Sequence, residues 1–337
     1  MKRNVSSHDR EYRVFCDTKP ALSYDGSIPF DEWKAQAKDR LATLLGLPFE
    51  ECDPMLEIEY TKQGDGHTEY RFTVQTEPGY FVPCHLFIPT GVEGKIPLAL
   101  CLSGHAMGMH VLMGIAKSEY DEDKLAEWPD RAIAPRALRE GYAALVIEAR
   151  NLGEASVEGY GISCMEAAKI AILDGRTVIG GRVWDAMHIL DAVLDNFEQI
   201  DAKNIVCTGN SGGGTATYYL ACIDERIKIA APCCAVCSFE ASIAAMPHCL
   251  CNHIPGIRKY FEMGDLAGLI APRKLVVGAG ASDPIFPIDG TNDCFATIQR
   301  LYAAAGVPDN CTLVVGDNAH FYYADLVWEK VHQMMKE

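Results

Sequence analysis

A chain of 337 residues, 49% hydrophobic and 23% charged, has the balance of a folded protein with a sizeable core, long enough for one large domain or two ordinary ones. Its formal net charge of −16 argues against nucleic acid or an anionic membrane surface as a partner, because a basic patch would have to overcome an acidic field. No apolar run reaches the roughly 18 residues of a membrane helix, and the stretch from Met1 to Phe15 lacks the apolar core of a signal peptide, so the sequence predicts a cytoplasmic protein with no membrane partner.

In chain order, the first predicted element is a helix over 31–45. Trp33, Ala37, Leu41, Leu44 and Leu45 recur there near helical spacing, and Gly46 and Pro48 stop it. Three alternating stretches follow, 55–62, 70–76 and 81–87, which predict antiparallel edge strands joined by turns at Gly64, Gly66 and Gly79. From Ile96 the texture changes. Apolar runs at 97–102, 143–148, 204–208, 227–233, 274–277 and 311–315 alternate with helical patterns near 122–139, 164–197, 212–222 and 291–305 and from Tyr323 onward. Continuous apolar strands between helices predict an α/β fold whose mainly parallel central sheet has helices on both faces.

The chemistry concentrates in the loops that follow these strands. The run 204–208 leads directly into Gly209-Asn210-Ser211-Gly212-Gly213 and then a helical pattern. This is a G-x-S-x-G turn in the strand–turn–helix setting it requires, with small residues where the two backbones must approach. Ser211 is therefore the candidate nucleophile. A serine hydroxyl needs a base, and the base needs an acid to hold its tautomer, in the chain order Ser, Asp or Glu, His. Asp283 lies in the loop after 274–277, and His320 in the loop after 311–315. Of the four histidines beyond Ser211, only His320 follows the acid and also sits in a loop. Asp317 is the competing acid, three residues before the histidine.

The oxyanion of an acyl-transfer intermediate needs two N–H donors. Gly212, at the start of the helix after the serine, supplies one. The loop Ser103-Gly104-His105-Ala106-Met107-Gly108 supplies the other, through the backbone of His105. Met107, Phe286 and Phe321 flank these loops and are candidates to line a substrate pocket. Arg150, after the run 143–148, is either a ligand for a substrate carboxylate or the partner of Glu148, Glu154 or Asp185.

Fourteen cysteines are scattered along the chain, several inside apolar runs, such as Cys101 and Cys207, where a thiol serves as a small hydrophobe. Cys234 and Cys237, with His248, Cys249, Cys251 and His253, offer ligand types that suit zinc. Because the first pair continues an apolar strand, these too read as buried thiols, and the expectation is no metal and no cofactor.

The segments 102–105, 175–185, 209–213, 248–260, 270–287 and 316–320 resemble the α/β-hydrolase superfamily, and within it the acetyl-xylan-esterase-like and dienelactone-hydrolase-like branch. The resemblance runs from about Pro83 to the C-terminus. It implies an α/β-hydrolase fold with residues 1–54 as an N-terminal extension and 55–337 as the catalytic domain. It also implies a serine esterase that forms an acyl-enzyme on Ser211 and takes a small-molecule or carbohydrate ester. The sequence departs from the pattern in having Gly212 where sugar deacetylases usually carry glutamine after the nucleophile. The same three residues would equally serve an amide or peptide hydrolase, and a silent hydrolase fold used for binding is the alternative outside catalysis.

Overall fold

The apolar runs become the centre of one twisted sheet in the computed structural model, which describes residues 5–336. Expectations touching Met1–Asn4 and Glu337 lie outside the described residues. The nine strands are β1 (Glu57–Gln63), β2 (His67–Glu77), β3 (Tyr80–Pro89), β4 (Ile96–Leu102), β5 (Ala143–Ile147), β6 (Ile200–Asn210), β7 (Ile227–Cys233), β8 (Lys274–Gly280) and β9 (Cys311–Gly316). Their order in the sheet is β1-β2-β3-β5-β4-β6-β7-β8-β9. Pairing is antiparallel from β1 to β5 and parallel from β5 to β9. β3 is thus internal, paired with β5, and only β1 of the three antiparallel strands is at the edge.

The helices are α1 (Ser7–Asp17), α2 (Phe30–Leu45), α3 (Glu119–Glu127), α4 (Ile133–Arg139), α5 (Cys164–Leu173), α6 (Val178–Asn196), α7 (Gly212–Ile223), α8 (Ala267–Ile270), α9 (Ile288–Ala304) and α10 (Ala324–Met335). None among the described residues is long and apolar enough to cross a membrane. Along β4 the side chains alternate. Leu98, Leu100 and Leu102 join a core with α2 and α6–α9, while Ala99 and Cys101 join a second core with α4 and α10. The period of two therefore distributes one strand between two helix layers. Trp33, Ala37, Leu41 and Leu45 of α2 enter the first of these cores.

Two helical regions read as continuous are each broken. The pattern at 122–139 divides at Trp128-Pro129, where the indole Nε1 donates to the Tyr322 carbonyl at 2.9 Å. The region 164–197 divides at Gly175, whose φ of +70° ends the helical path between α5 and α6.

Candidate active site

Three loops at the carboxyl ends of β6, β8 and β9 meet over the parallel part of the sheet, the edge where open α/β sheets present their ligands. The first is the turn between β6 and α7. Ser211 takes φ 57° and ψ −123°, a strained conformation for a residue with a side chain. It is sustained by its neighbours: a Cβ on Gly209 would come within 2.5 Å of the Leu102 carbonyl oxygen, and one on Gly213 within 2.0 Å. Any larger residue at either position would force strand, turn and helix apart, which is the physical reason for the glycine spacing.

The other two loops are tied to each other. Ala281 donates to the Gly316 carbonyl and Ser282 to that of Asn318, at 2.8 and 3.1 Å. Gly280 permits this, because a Cβ there would lie 1.9 Å from the Ala319 oxygen. Asp283 then reaches His320 Nδ1 through Oδ2 at 2.7 Å, and its Oδ1 accepts from Ile285 and Phe286 N–H at 2.8 and 3.0 Å. Burial alone would raise the Asp283 pKa, but the His320 contact and the two N–H donors hold it below the usual carboxylate value. For His320, burial acts downward, and the hydrogen bonds to Asp283 and Cys234 more than reverse it, to about 9. The Phe286 ring stacks on the imidazole with centroids 5.8 Å apart. Asp317, by contrast, is exposed.

Ser211 and His320 face one cavity of about 470 Å³, whose wall also includes Gly104, His105 and Tyr322. Ser211 Oγ makes no hydrogen bond among the described residues. The N–H groups of His105 and Gly212 donate to no protein acceptor among the described residues, which leaves both available to an oxyanion. A Cβ on Gly212 would lie 3.1 Å from His105 Nδ1. The imidazole of His105 thus packs close against Gly212, and a side chain there would have to shift it.

The residues expected to bind substrate are dispersed. Of the two roles expected for Arg150, the ion pair is the one observed and the substrate ligand is not: its Nε lies 2.6 Å from Asp185 and its Nη2 2.6 Å from Glu77, with the Tyr80 ring beneath the guanidinium. Its Nε and Nη2 are taken by carboxylates, and Arg150 is not among the residues that line the cavity. Phe286 backs the imidazole, and Phe321 stacks on Trp128 at 3.9 Å. Met107 accepts from Gly161 N–H through its carbonyl and, like the two phenylalanines, is not among the residues lining the cavity.

Lys124 and Arg131 are cavity residues not expected from the sequence, and His248, weighed there only as a metal-ligand type, is a third. Lys124 and Arg131 enter from the segment between β4 and β5, and His248 from the loop after β7. Burial pushes the His248 pKa down to about 4, and its Nε2 has no hydrogen-bond partner among the described residues. No spacing ties these residues to the nucleophile, so only the fold reveals them. Glu148, next to Ala149 and Arg150 beyond β5, holds the loop behind the cavity by accepting from Met109 and Glu154 N–H at 3.0 and 3.1 Å; burial raises its pKa to about 7.

The model of the Abhydrolase family matches residues 2–328. A Bacillus subtilis (strain 168) protein named "Putative hydrolase YtaP" is 25% identical over 268 residues, covering 77% of this chain and 83% of its own. Among solved structures, a "putative acetyl xylan esterase" from Bacteroides fragilis NCTC 9343 is similar with a TM-score of 0.83 at 18% identity, covering 99% of this chain and 96% of the other. A glucuronoyl esterase from Solibacter usitatus is similar with a TM-score of 0.69 at 14% identity, over 95% and 98% of the two chains.

Proposed function

Because the chain belongs to the Abhydrolase family, we propose that it is a serine hydrolase that cleaves carboxylic esters through an acyl-enzyme on Ser211. The observation that carries this reading is the Asp283–His320 hydrogen bond of 2.7 Å at the wall of the cavity that Ser211 also faces. His320 takes the Ser211 proton as the hydroxyl attacks the ester carbonyl, and Asp283 stabilises the imidazolium that forms. The N–H groups of Gly212 and His105 receive the charge on the carbonyl oxygen. His320 then returns its proton to the leaving alcohol, and water enters through the same base to release the acid. Every step is carried by this chain's own residues, and none calls for a cofactor.

The substrate reading is a carbohydrate or other small ester. It is supported by similarity to proteins named acetyl xylan esterase and glucuronoyl esterase. A fluorophosphonate probe tests the chemistry: wild-type protein should label stoichiometrically on Ser211, and Ser211→Ala should fail to label and lose at least about three orders of magnitude of p-nitrophenyl acetate turnover. Equal labelling of the two proteins would remove the nucleophile from this position.

A further inference from the structure

Outside the triad, one group of side chains has the composition of a metal centre. His105, Cys164, Cys249 and Cys251 come from three separate segments, and their four ligand atoms lie within 4.8 Å of one another. His105 Nε2 is 3.2 Å from Cys251 Sγ and 3.8 Å from Cys164 Sγ. Zn–S bonds of about 2.3 Å and a Zn–N bond of about 2.0 Å make tetrahedral edges of roughly 3.5 to 3.8 Å; the two N···S distances bracket that range, and the 4.8 Å spread of the four atoms is close enough for small side-chain rotations to bring them onto one ion. We propose that these residues bind one zinc ion as a closed, structural Cys3His centre at the back of the oxyanion loop. This differs from the set weighed on the sequence: Cys234 lies instead beside Asp283 and His320.

A second observation points the same way. Arg182 is buried, and its hydrogen bonds run to the Arg150 carbonyl and to Cys164 Sγ, the latter at 3.3 Å. No carboxylate pairs with it among the described residues. An unpaired guanidinium inside a protein is costly. Binding Zn²⁺ releases three thiol protons to solvent, and three thiolates with a neutral imidazole leave the centre with a net charge of −1. Arg182 supplies the balancing positive charge and a donor to one of the ligating sulfurs, as outer partners of metal ligands commonly do.

The placement has a mechanical consequence. Metal bonding through Nε2 would fix the His105 ring, which lies against Gly212, and with it the backbone of the loop opposite the nucleophile. The ion would be a brace, with all four positions filled by protein and none open to substrate.

Metal analysis of the full-length protein, purified without chelator from cells grown with added zinc, tests the site independently of any esterase activity. About one zinc per chain is expected, with Cys249→Ser and Cys251→Ser each falling below roughly a fifth of that and Cys52→Ser unchanged. Should the ligand variants fail to fold, wild-type protein reloaded with Co²⁺ should show the intense thiolate-to-cobalt absorption and visible bands of a tetrahedral thiolate site. Wild-type protein with less than about a tenth of a zinc per chain, and no uptake after full reduction, overturns the proposal. So does intact mass showing two of these cysteines joined as a disulfide in the freshly isolated protein, since an oxidised pair cannot ligate.

Discussion

Asp283 and Asp317 lie in neighbouring loops, yet only one is placed to act on the imidazole. Asp283 is buried and bonded to Nδ1, whereas Asp317 is exposed. We expect Asp283→Asn to lower kcat/KM by several orders of magnitude, because an amide in that place favours the wrong histidine tautomer. Asp317→Asn should stay within about tenfold of wild type; the reverse ranking in steady-state kinetics would reassign the acid. The same contact sets a pH dependence. Only neutral His320 accepts the serine proton, so activity should rise as pH climbs through its pKa. That pKa is raised towards about 9, so the acidic limb of the kcat/KM profile should lie above the ordinary histidine value of about 6.5. A limb below pH 6 would show that the imidazolium is not stabilised in this way. The order of serine, acid and histidine was readable from the sequence because each follows an apolar strand. His105, Cys164, Cys249 and Cys251 were not readable as a group, since no fixed spacing links three distant segments.

At the scale of elements, the sequence resolved what periodicity controls. The runs that became β4, β5, β7 and β9 are nearly continuous in apolar residues, and their bounds agree with the reading to within a residue or so. β6 begins earlier than its apolar run because its first turn of chain, Ile200–Asn204, carries polar residues towards solvent while already pairing with β4. α1 is not among the elements expected from the sequence: none of its residues is fully buried, and of its few apolar side chains only Phe15 packs against the core. α2 is the opposite case. Its Leu41 is fully buried in the core shared with α6–α9, and the Trp33 ring fills the place where a Cβ on Gly268 would lie 2.5 Å from it. A helix so embedded contributes to the stability of the sheet it covers. Leu41→Ala should therefore destabilise the whole chain by about 2–5 kcal/mol in reversible denaturation, as one transition. Loss of helix signal in a separate early transition, with the main midpoint unmoved, would mean that α2 folds as an independent attachment.

Across the whole molecule, the site imposes a pH dependence on folding, and Glu148 sets its part between about pH 4.5 and 7. Its carboxyl is 1% exposed and has no cationic partner among the described residues, only the N–H groups of Met109 and Glu154. Burial raises its pKa from 4.5 to about 7. A carboxyl whose folded pKa exceeds its unfolded value binds its proton more tightly when folded. Its favourable contribution is thus complete below about pH 4.5 and is lost as pH rises to about 7, a span worth roughly 3 kcal/mol. His320 has the same sign over a higher window: its stabilising charge is present below about 6.5 and lost as pH rises through about 9. Asp283 has the opposite sign, its contribution vanishing only in acid, because its pKa is lowered. With a net charge of −16, many exposed carboxylates add their own slope, so a single wild-type curve is ambiguous. The difference between wild type and Glu148→Gln removes that background. The amide keeps an acceptor for one N–H, cannot ionise, and turns its NH2 towards the other donor, so the variant should be about 1–3 kcal/mol less stable at pH 4.5. Between pH 4.5 and 7 the wild-type chain should lose that advantage, and the two denaturation free energies should converge or cross. Parallel curves across this interval would show that Glu148 titrates as an ordinary surface carboxylate and that the loop behind the cavity is open to water.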